Sequence, residues 1–353
     1  MKSIFRFAIA IICVLALISS LATAQDLNQQ LSKLGQQAAV SYISPILNGW
    51  GNDLNSGIYC SADLHDVLGF DIGVKAASSH FTDGDKTYLL TLPASMTVAP
   101  SDLGLTGYPA GYTVTLTSGT NYTSSITANT AVGAKDETNI TTLGGTGVVK
   151  NASGATVGTI AIPANKTVQT LPGGYDPGKI GVPLAMPQLN LGLPFGLEFM
   201  LRYAPTIKAG DYGKFNYMGF GLRYDIDQWI PLCPVDIAIH FMTQKLTFKS
   251  NSDQDIFTGT ATAYGVEVSK KFFILTLYGG FQLENSTLTV SDFTGYDAGL
   301  GQNVTIQGFE VKGADKSRFT VGASLLLLFI NVHAEYSFAT NPVLAAGVGI
   351  SIR

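Results

Sequence analysis

The feature that most constrains the fold is the alternation of side chains in residues 215–229, which read FNYMGFGLRYDIDQW. Met218, Phe220 and Leu222 occupy every second position, and glycine or a charged residue stands between them. A repeat of two residues is the period of a β-strand, whose successive side chains point to opposite faces. One face of this strand is therefore apolar, and the other needs water or partners for its charged groups.

The same alternation recurs along much of the chain and predicts further strands. The alternation is weakest in the first of them, before residue 63. The predicted strands cover residues 57–62, 67–79, 189–204, 215–229, 235–244, 264–268, 273–284, 318–329, 332–338 and 344–352. Tight turns are predicted at Lys270 with Lys271 and at Asn331, and a long connection is predicted at residues 285–316.

Alternation fits both a soluble β-sandwich and a membrane barrel, because each has one apolar face. Only 13% of the residues are charged, whereas soluble domains carry about 25%. Several strands reach about nine residues, the length that crosses a bilayer at a tilt, and only a closed barrel satisfies the backbone in lipid. The sequence predicts an all-β fold, a transmembrane antiparallel β-barrel of roughly 10–14 strands with an N-terminal helix or plug segment. A secreted soluble β-sandwich is the alternative.

The first residues have the pattern of a secretory signal peptide. Lys2 and Arg6 precede an apolar run, and Ala22 and Ala24 form a small-x-small cleavage pattern. We assign residues 1–24 to the signal peptide and residues 25–56 to an N-terminal helix and polar hatch segment. Residues 57–353 are assigned to the barrel, with a Thr- and Gly-rich insertion at about residues 95–187. The expected location is the outer membrane of a Gram-negative cell.

A helix is predicted over residues 26–47, with Asp26 as its N-cap and with Pro45 and the pair Asn48 and Gly49 at its end. A polar, turn-rich tether follows. Two interpretations are open: a cap that packs on the periplasmic side, or a plug that enters the barrel. The plug candidates are Asn48, Trp50, Asn52, Asp53 and Asn55.

Charged residues on the polar faces of the strands should point into the barrel lumen. They are Asp71, Lys75, Glu198, Arg202, Arg223, Asp225, Asp227, Asp236, His240, Glu267, Glu284, Arg318, His333 and Glu335. Cross-strand salt bridges that hold a narrow barrel closed would explain them. A role in lining a substrate path is the second interpretation.

The predicted topology leaves one difficulty. If the C-terminus lies in the periplasm, the strand after residue 189 runs outward, and the long insertion would enter it from the periplasmic side. Either the insertion hides further strands, which would give roughly 12–14 in all, or it folds into the lumen. Cys60 and Cys233 are the cysteines left after export, so one disulfide is possible.

Four segments resemble an uncharacterised family of exported proteins of Bacteroidota and related bacteria. They read NGWGNDLNSG at 48–57, LGFDIGV at 68–74, PQLNLGLPFGLEFMLRY at 187–203 and FGLRYDIDQWIP at 220–231. The resemblance implies an outer-membrane barrel. Its layout of helix, polar hatch and barrel is similar to the FadL-type transporters of hydrophobic compounds, although no ligand-pocket residue of those transporters can be matched here.

These features lead to two functional hypotheses. The first is a monomeric passive channel, porin-like, for small molecules, including hydrophobic ones. The second is a structural or surface-interaction barrel that presents the insertion to a partner. Outer-membrane lipid and a small hydrophobic ligand are the expected partners. The pI near 5.5 and the lack of a basic run argue against nucleic acid.

An enzyme is not expected, and neither a cofactor nor a metal site is predicted. Asp236 and His240 share one face of a strand, but at about 3.3 Å per residue they lie about 13 Å apart, too far to bond.

Overall fold

The computed structural model describes residues 36–353, except residues 177, 179, 180, 182, 209–212, 252 and 298–301. The predicted signal peptide and the first part of the predicted helix, residues 26–35, lie outside the described residues. The chain forms two compact units. The barrel unit comprises Ser44–Thr82 and Pro177–Arg353, and the insertion unit comprises Asp83–Asp176 with the described part of Lys33–Ile43.

The described residues contain the helix α1 (Gln36–Leu54) and strands of very different length. In chain order the strands are β1 (Phe70–Ser79), β2 (Thr87–Thr91), β3 (Ser95–Val98), β4 (Thr113–Thr117), β5 (Ser125–Asn129), β6 (Thr138–Thr141), β7 (Thr146–Lys150), β8 (Thr156–Ala161), β9 (Thr167–Leu171), β10 (Leu184–Leu193), β11 (Leu197–Lys208), β12 (Lys214–Asp225), β13 (Asp236–Lys249), β14 (Asp255–Phe272), β15 (Leu275–Val290), β16 (Phe293–Asp297), β17 (Gln302–Ile306), β18 (Phe309–Lys312), β19 (Ser317–Leu327), β20 (Ile330–Phe338) and β21 (Val343–Ile352). Short 3₁₀ turns occupy Asp83–Asp85, Pro100–Leu103, Pro194–Gly196 and Asp227–Trp229.

The long strands close into a ten-stranded antiparallel barrel. The order is β14, β13, β12, β11, β10, β1, β21, β20, β19 and β15, and β15 pairs with β14 to complete the ring. The first and last strands of the barrel, β1 and β21, pair along their whole length. This confirms the predicted antiparallel barrel and excludes the β-sandwich, since a sandwich consists of two separate sheets.

The two faces of each long strand meet different surroundings. In β12 the side chains of Met218, Phe220 and Leu222 are each about half exposed on the outside, while Gly221 and Arg223 face inward and are buried. The alternation in the sequence thus separates an apolar exterior from a polar lumen, as in membrane barrels.

One predicted strand is wrong, and another comprises parts of two strands. Residues 57–62 are not a strand but a buried segment inside the barrel. The tenth strand is β10: the predicted strand 189–204 is divided by the turn Pro194–Gly196, and its first part belongs to β10, which begins at Leu184 before Pro187. Pro187 is tolerated because it pairs only with Val74 of β1; the pairing with β11 begins at Gln188.

The two predicted tight turns are also wrong in position. Lys270 and Lys271 continue β14 and pair with Leu277 and Thr276 of β15. Asn331 lies in β20. The chain reverses at Phe273 and at Leu328 instead, where the backbone adopts positive φ values of 57° and 59°, as two-residue hairpins often require.

The extra strand β10 removes the topological difficulty. One end of the barrel, which we name the turn end, holds the start of β1 and the end of β21. It also holds the short connections 194–196, 226–235, 273–274 and 328–329. The opposite end, the loop end, carries the connection 291–316 and the insertion between β1 and β10. The longest insertions therefore leave the barrel from the same end.

The insertion unit has its own small core of short strands. A four-stranded sheet has the order β3, β4, β7, β8, and two further pairs are β2 with β5 and β6 with β9. Val114, Leu116 and Tyr122 are fully buried. The buried Asn121 accepts a hydrogen bond from the Thr117 backbone N–H (2.8 Å) and donates one to the Gly144 carbonyl (2.9 Å).

The helix continues further than the sequence predicts. It passes Pro45, Asn48 and Gly49 and ends at Leu54. Here glycine permits close approach instead of ending the helix: a Cβ on Gly49 would lie 3.0 Å from the Phe81 ring, and one on Gly51 would clash with Ser286 of the barrel wall. Burial of Leu47 and Leu54 then stabilises the last turns. Within the described part of the chain, no helix has the length and apolar character required to cross a membrane.

The pairing of β1 with β21 should be sensitive to side-chain volume at Gly73. Gly73 faces Gly349 across this pair, and a Cβ on Gly73 would lie against the Val348 carbonyl and 2.7 Å from the Gly349 Cα. We expect Gly73→Ala to destabilise the barrel by about 1–3 kcal/mol, measured as a lower temperature for the shift between folded and unfolded bands in heat-modifiability gels. Gly259→Ala is the matched control, because its Cβ would meet nothing closer than 3.4 Å. Equal shifts for both variants would contradict the explanation.

Candidate functional site

The barrel lumen is occupied by the chain itself. Residues 44–66, which we name the lumen segment, begin near the loop end, where Ser79 Oγ lies within hydrogen-bond distance of the Gly49 carbonyl oxygen (2.9 Å) and of Asp53 Oδ1 (2.7 Å). They end near the turn end, where the His65 N–H donates to Glu198 Oε2 (3.1 Å). Residues 51–62 are buried without interruption. Of the plug candidates, Asn52, Asp53 and Asn55 are fully buried in the lumen, and Asn48 and Trp50 are half-buried.

Arg202 holds the end of α1. Its guanidinium is fully buried and donates hydrogen bonds to the carbonyl oxygens of Leu54 (2.8 Å) and Ser56 (2.7 Å). It also donates to Gln188 Oε1 (2.7 Å) and Gln244 Oε1 (2.9 Å). The last carbonyl groups of a helix lack partners within the helix and carry partial negative charge. A cation from the barrel wall therefore supplies both the donors and the complementary charge.

Arg318 performs the same task on the other side of the helix end. It donates to the Asn52 carbonyl (3.0 Å) and to Glu284 Oε1 (2.7 Å), and it also bonds Ser56 Oγ. Neutral amides complete the contact: Gln244 donates to the Leu54 carbonyl (2.7 Å), and Gln282 donates to the Asn55 carbonyl (2.9 Å). Side chains of the barrel wall thus donate hydrogen bonds to the backbone carbonyl groups of the lumen segment.

A second cluster lies closer to the turn end. Arg223 donates to Glu198 Oε1 (2.6 Å) and to Glu267 Oε1 (2.6 Å), and it also bonds the Ser61 carbonyl. All three side chains are buried. A buried ion pair is compensated only when further hydrogen bonds satisfy its atoms, and here the lumen segment provides one of them.

The middle of the lumen segment is fixed by an acid and by aromatic rings. Glu335 accepts hydrogen bonds from the Gly57 N–H (2.8 Å) and from the Tyr278 hydroxyl (3.1 Å). The Tyr59 ring lies 5.8 Å from the Tyr278 ring and 5.3 Å from the His240 ring, centroid to centroid. The segment is therefore anchored at its helix end, its centre and its turn-end side.

The structure buries all the predicted lumen residues except three. Those buried are Asp71, Lys75, Glu198, Arg202, Arg223, His240, Glu267, Glu284, Arg318, His333 and Glu335. Asp225, Asp227 and Asp236 are half-exposed at the turn end. They line a cavity of about 230 Å³ together with Asp63, His65 and Asp66. Cys60 and Cys233 are both free, so the disulfide left open by the sequence is absent.

Sequence reasoning missed the neutral residues of the site. Gln244 and Gln282 lie on polar faces that the alternation identified, but they are neutral, and the lumen prediction named charged residues only. Gln188 lies in the part of β10 that was not predicted as strand. The partners in the lumen segment were also hidden, because alternation in a strand gives no information on what fills the space inside a barrel.

Taken together, the closed barrel and its filled lumen define the molecule as a β-barrel of the outer-membrane type with an internal chain segment. Its family model matches residues 1–352, and the chain belongs to that family, DUF6588, described as a family of unknown function. This supports the resemblance to an uncharacterised family, while the FadL-type layout and the bacterial group stay predictions. No curated protein sequence matches the chain significantly.

Solved structures with a similar fold include three barrels. The β domain of the Bordetella autotransporter BrkA is 10% identical with a TM-score of 0.29, covering 81% of this chain and 100% of that one. Ail of Yersinia pestis is 12% identical with a TM-score of 0.23, covering 44% and 93%. A BenF-like porin from Pseudomonas fluorescens is 9% identical with a TM-score of 0.21, covering 82% and 99%. With TM-scores this low, none supports an inference about function.

Removal of Arg202 should loosen the lumen segment. Arg202→Ala leaves the Leu54 and Ser56 carbonyls short of a charged donor, at a cost of about 1.5–3 kcal/mol for each hydrogen bond. The buried Cys60 then serves as a native reporter in a Cys233→Ser background. We expect its maleimide labelling to accelerate by at least about tenfold.

Lys249→Ala is the control for this experiment, because it breaks only the partly exposed ion pair with Asp255 (3.1 Å). If Cys60 reacts at the wild-type rate in Arg202→Ala while the barrel stays folded, the helix end is not held by Arg202.

Proposed function

We propose that the protein is an outer-membrane barrel that is closed by its own lumen segment and presents the insertion unit outside the cell. The observation that carries this proposal is the pair of buried arginines, Arg202 and Arg318, on the carbonyl groups at the end of α1. Their hydrogen bonds hold the backbone of the lumen segment inside the barrel. A closed barrel of this kind acts as an anchor rather than as a pore.

The barrel exterior supports insertion into lipid. Large apolar side chains are about half exposed around the ring, on both halves of the barrel sequence from β12 to β21. They include Phe220, Phe241, Tyr264, Phe281, Phe319, Leu344 and Val348. An exposed apolar surface on so many strands is unusual for a soluble monomer, whereas lipid solvates apolar side chains.

The two ends of the barrel support one orientation. Outer-membrane barrels place short turns in the periplasm and long loops outside. The turn end would then face the periplasm, and the insertion and the connection 291–316 would face outward. Within the insertion, β8 is exposed on almost all its residues, and Leu89, Leu143 and Val157 are exposed apolar side chains. Such a surface suits contact with an external partner.

Cysteine labelling on intact cells tests the orientation. In a Cys233→Ser background, Ser153→Cys places a thiol on an exposed turn of the insertion, and Leu232→Cys places one on the fully exposed connection at the turn end. We expect a membrane-impermeant maleimide to label Ser153→Cys in intact cells and Leu232→Cys only after the outer membrane is permeabilised. The reverse pattern would overturn the proposed display of the insertion.

A second candidate function is a gated passage for small molecules, hydrophobic ones included. It is favoured by the way the lumen segment is held: in the described residues its contacts with the barrel include hydrogen bonds, the Asp63–Arg353 ion pair and ring packing, and no disulfide ties the segment to the wall. Withdrawal of the segment would expose a lumen lined by paired charges.

A disulfide lock tests the passage. Ser61 of the lumen segment and Ser269 of β14 have their Oγ atoms 3.3 Å apart, a separation compatible with a disulfide between the corresponding cysteines. In a background without the native cysteines, we expect liposome uptake of small solutes to stop when Ser61→Cys with Ser269→Cys is oxidised and to return on reduction. The single variant Ser61→Cys controls for the substitution. Equal uptake in the oxidised and reduced states, or none in the wild type, would leave the barrel as an anchor alone.

A further inference from the structure

Three side chains at the turn end stand in the order of a hydrolytic triad. Ser351 of β21 has its Oγ 3.0 Å from His65 Nε2. The other ring nitrogen, His65 Nδ1, lies 2.6 Å from Glu198 Oε2. A nucleophilic hydroxyl, an imidazole and a carboxylate linked in this sequence are recognised by geometry on unrelated folds, whatever their order in the chain.

The carboxylate is itself firmly positioned. Glu198 Oε1 accepts a hydrogen bond from Arg223 (2.6 Å), and Oε2 accepts a second one from the His65 backbone N–H (3.1 Å). Glu198 is fully buried. Since Oε2 can only accept when ionised, the His65 proton belongs on Nδ1, which leaves the Nε2 lone pair toward Ser351. That is the tautomer a general base requires.

The triad borders a cavity through His65, whereas Ser351 and Glu198 are buried and do not line it. His65 lines the turn-end cavity of about 230 Å³, beside Leu64 and Asp66. Other walls carry Asp225, Asp227 and Asp236, and among the described residues these three and Asp66 form no ion pair. Asp63, which also lines the cavity, pairs with Arg353. The cavity therefore has a negative character, which favours a cationic or neutral molecule over an anionic one.

We propose that Ser351, His65 and Glu198 form an ester-hydrolysing site for small esters with a cationic or neutral group. Ser351 Oγ attacks the ester carbonyl carbon and passes its proton to His65 Nε2. The C–O bond to the alcohol breaks, and the leaving alcohol takes that proton, so an acyl ester remains on Ser351. Water then attacks the acyl carbon, gives a proton to His65, and Ser351 leaves and recovers it. Glu198 is a positioning residue.

This site was not foreseen from the sequence. The expectation of no enzyme came from the spacing of Asp236 and His240 on one strand. His65 and Ser351 are separated by most of the chain, and only the passage of the lumen segment through the barrel brings them together at the turn end.

A fluorophosphonate probe on the folded, full-length protein in detergent tests the nucleophile. We expect covalent labelling that maps to Ser351, loss of that labelling in Ser351→Ala, and a fall of at least about 10³-fold in His65→Gln. Ser337→Ala is the matched control, because Ser337 is a buried lumen serine of β20 bonded to Thr320; it should label like the wild type. Heat-modifiable gel mobility verifies the fold of each variant.

Kinetics test the substrate class and the role of Glu198. We expect hydrolysis of acetylthiocholine and 4-nitrophenyl acetate to exceed that of an anionic 4-nitrophenyl succinate monoester by at least about tenfold. Glu198→Gln should lower kcat and leave KM unchanged, and Glu198→Asp should recover part of kcat. Folded wild-type protein that neither labels at Ser351 nor hydrolyses these esters would overturn the proposal, and so would labelling that survives in Ser351→Ala. Neither outcome affects the labelling test of membrane orientation.

Discussion

The structure depends on the demand of buried backbone carbonyl groups for donors. A helix that ends inside a barrel exposes its last carbonyl oxygens to a space with little water, and leaving them unpaired is costly. Arg202 and Arg318 meet this demand from opposite sides, with Gln244 and Gln282 beside them. The same contacts solve the reverse difficulty, because each buried guanidinium needs acceptors. Helix end and barrel wall therefore stabilise each other, and neither would be stable in the lumen alone.

Closure of the barrel is the second constraint, and glycine makes it possible at two levels. Gly73 and Gly349 face each other where the first and last barrel strands pair, and Gly49 and Gly51 let α1 lie against the inner wall. Glycine occupies many positions on the polar faces of these strands. It cannot hydrate a soluble surface as a charged side chain does, but its small size suits a narrow, filled lumen. Inside the lumen, buried charges form ion pairs: Arg223 pairs with Glu198 and Glu267, and Arg318 pairs with Glu284.

Sequence reasoning succeeded where one physical period controls the outcome. The alternation in β12, β13, β15 and β21 identified strands and separated lumen from exterior. It failed at β10, because residues 189–193 were joined to β11 as one strand and residues 184–188 were not predicted as strand. It also failed at residues 57–62, which look like a short strand but lie inside the barrel. The turns at Phe273 and Leu328 carry no Gly, Asn or Pro, so turn chemistry pointed to Lys270 and Asn331 instead. The helix end was placed early because close packing of Gly49 and Gly51 cannot be read from one chain segment.

The sequence by itself determined the antiparallel barrel, the division of each strand into an apolar and a polar face, and most of the charged residues that turn inward, although Asp225, Asp227 and Asp236 are half-exposed at the turn end. These are local properties, since a strand's two faces depend only on the order of its residues. Tertiary structure alone decided what fills the lumen and which polar groups meet there. These groups come from distant parts of the chain. Arg202 contacts Leu54, Arg318 contacts Asn52, and Ser351 contacts His65, which contacts Glu198. These contacts exist because closure of the ring encloses the lumen segment, and no local pattern records that enclosure.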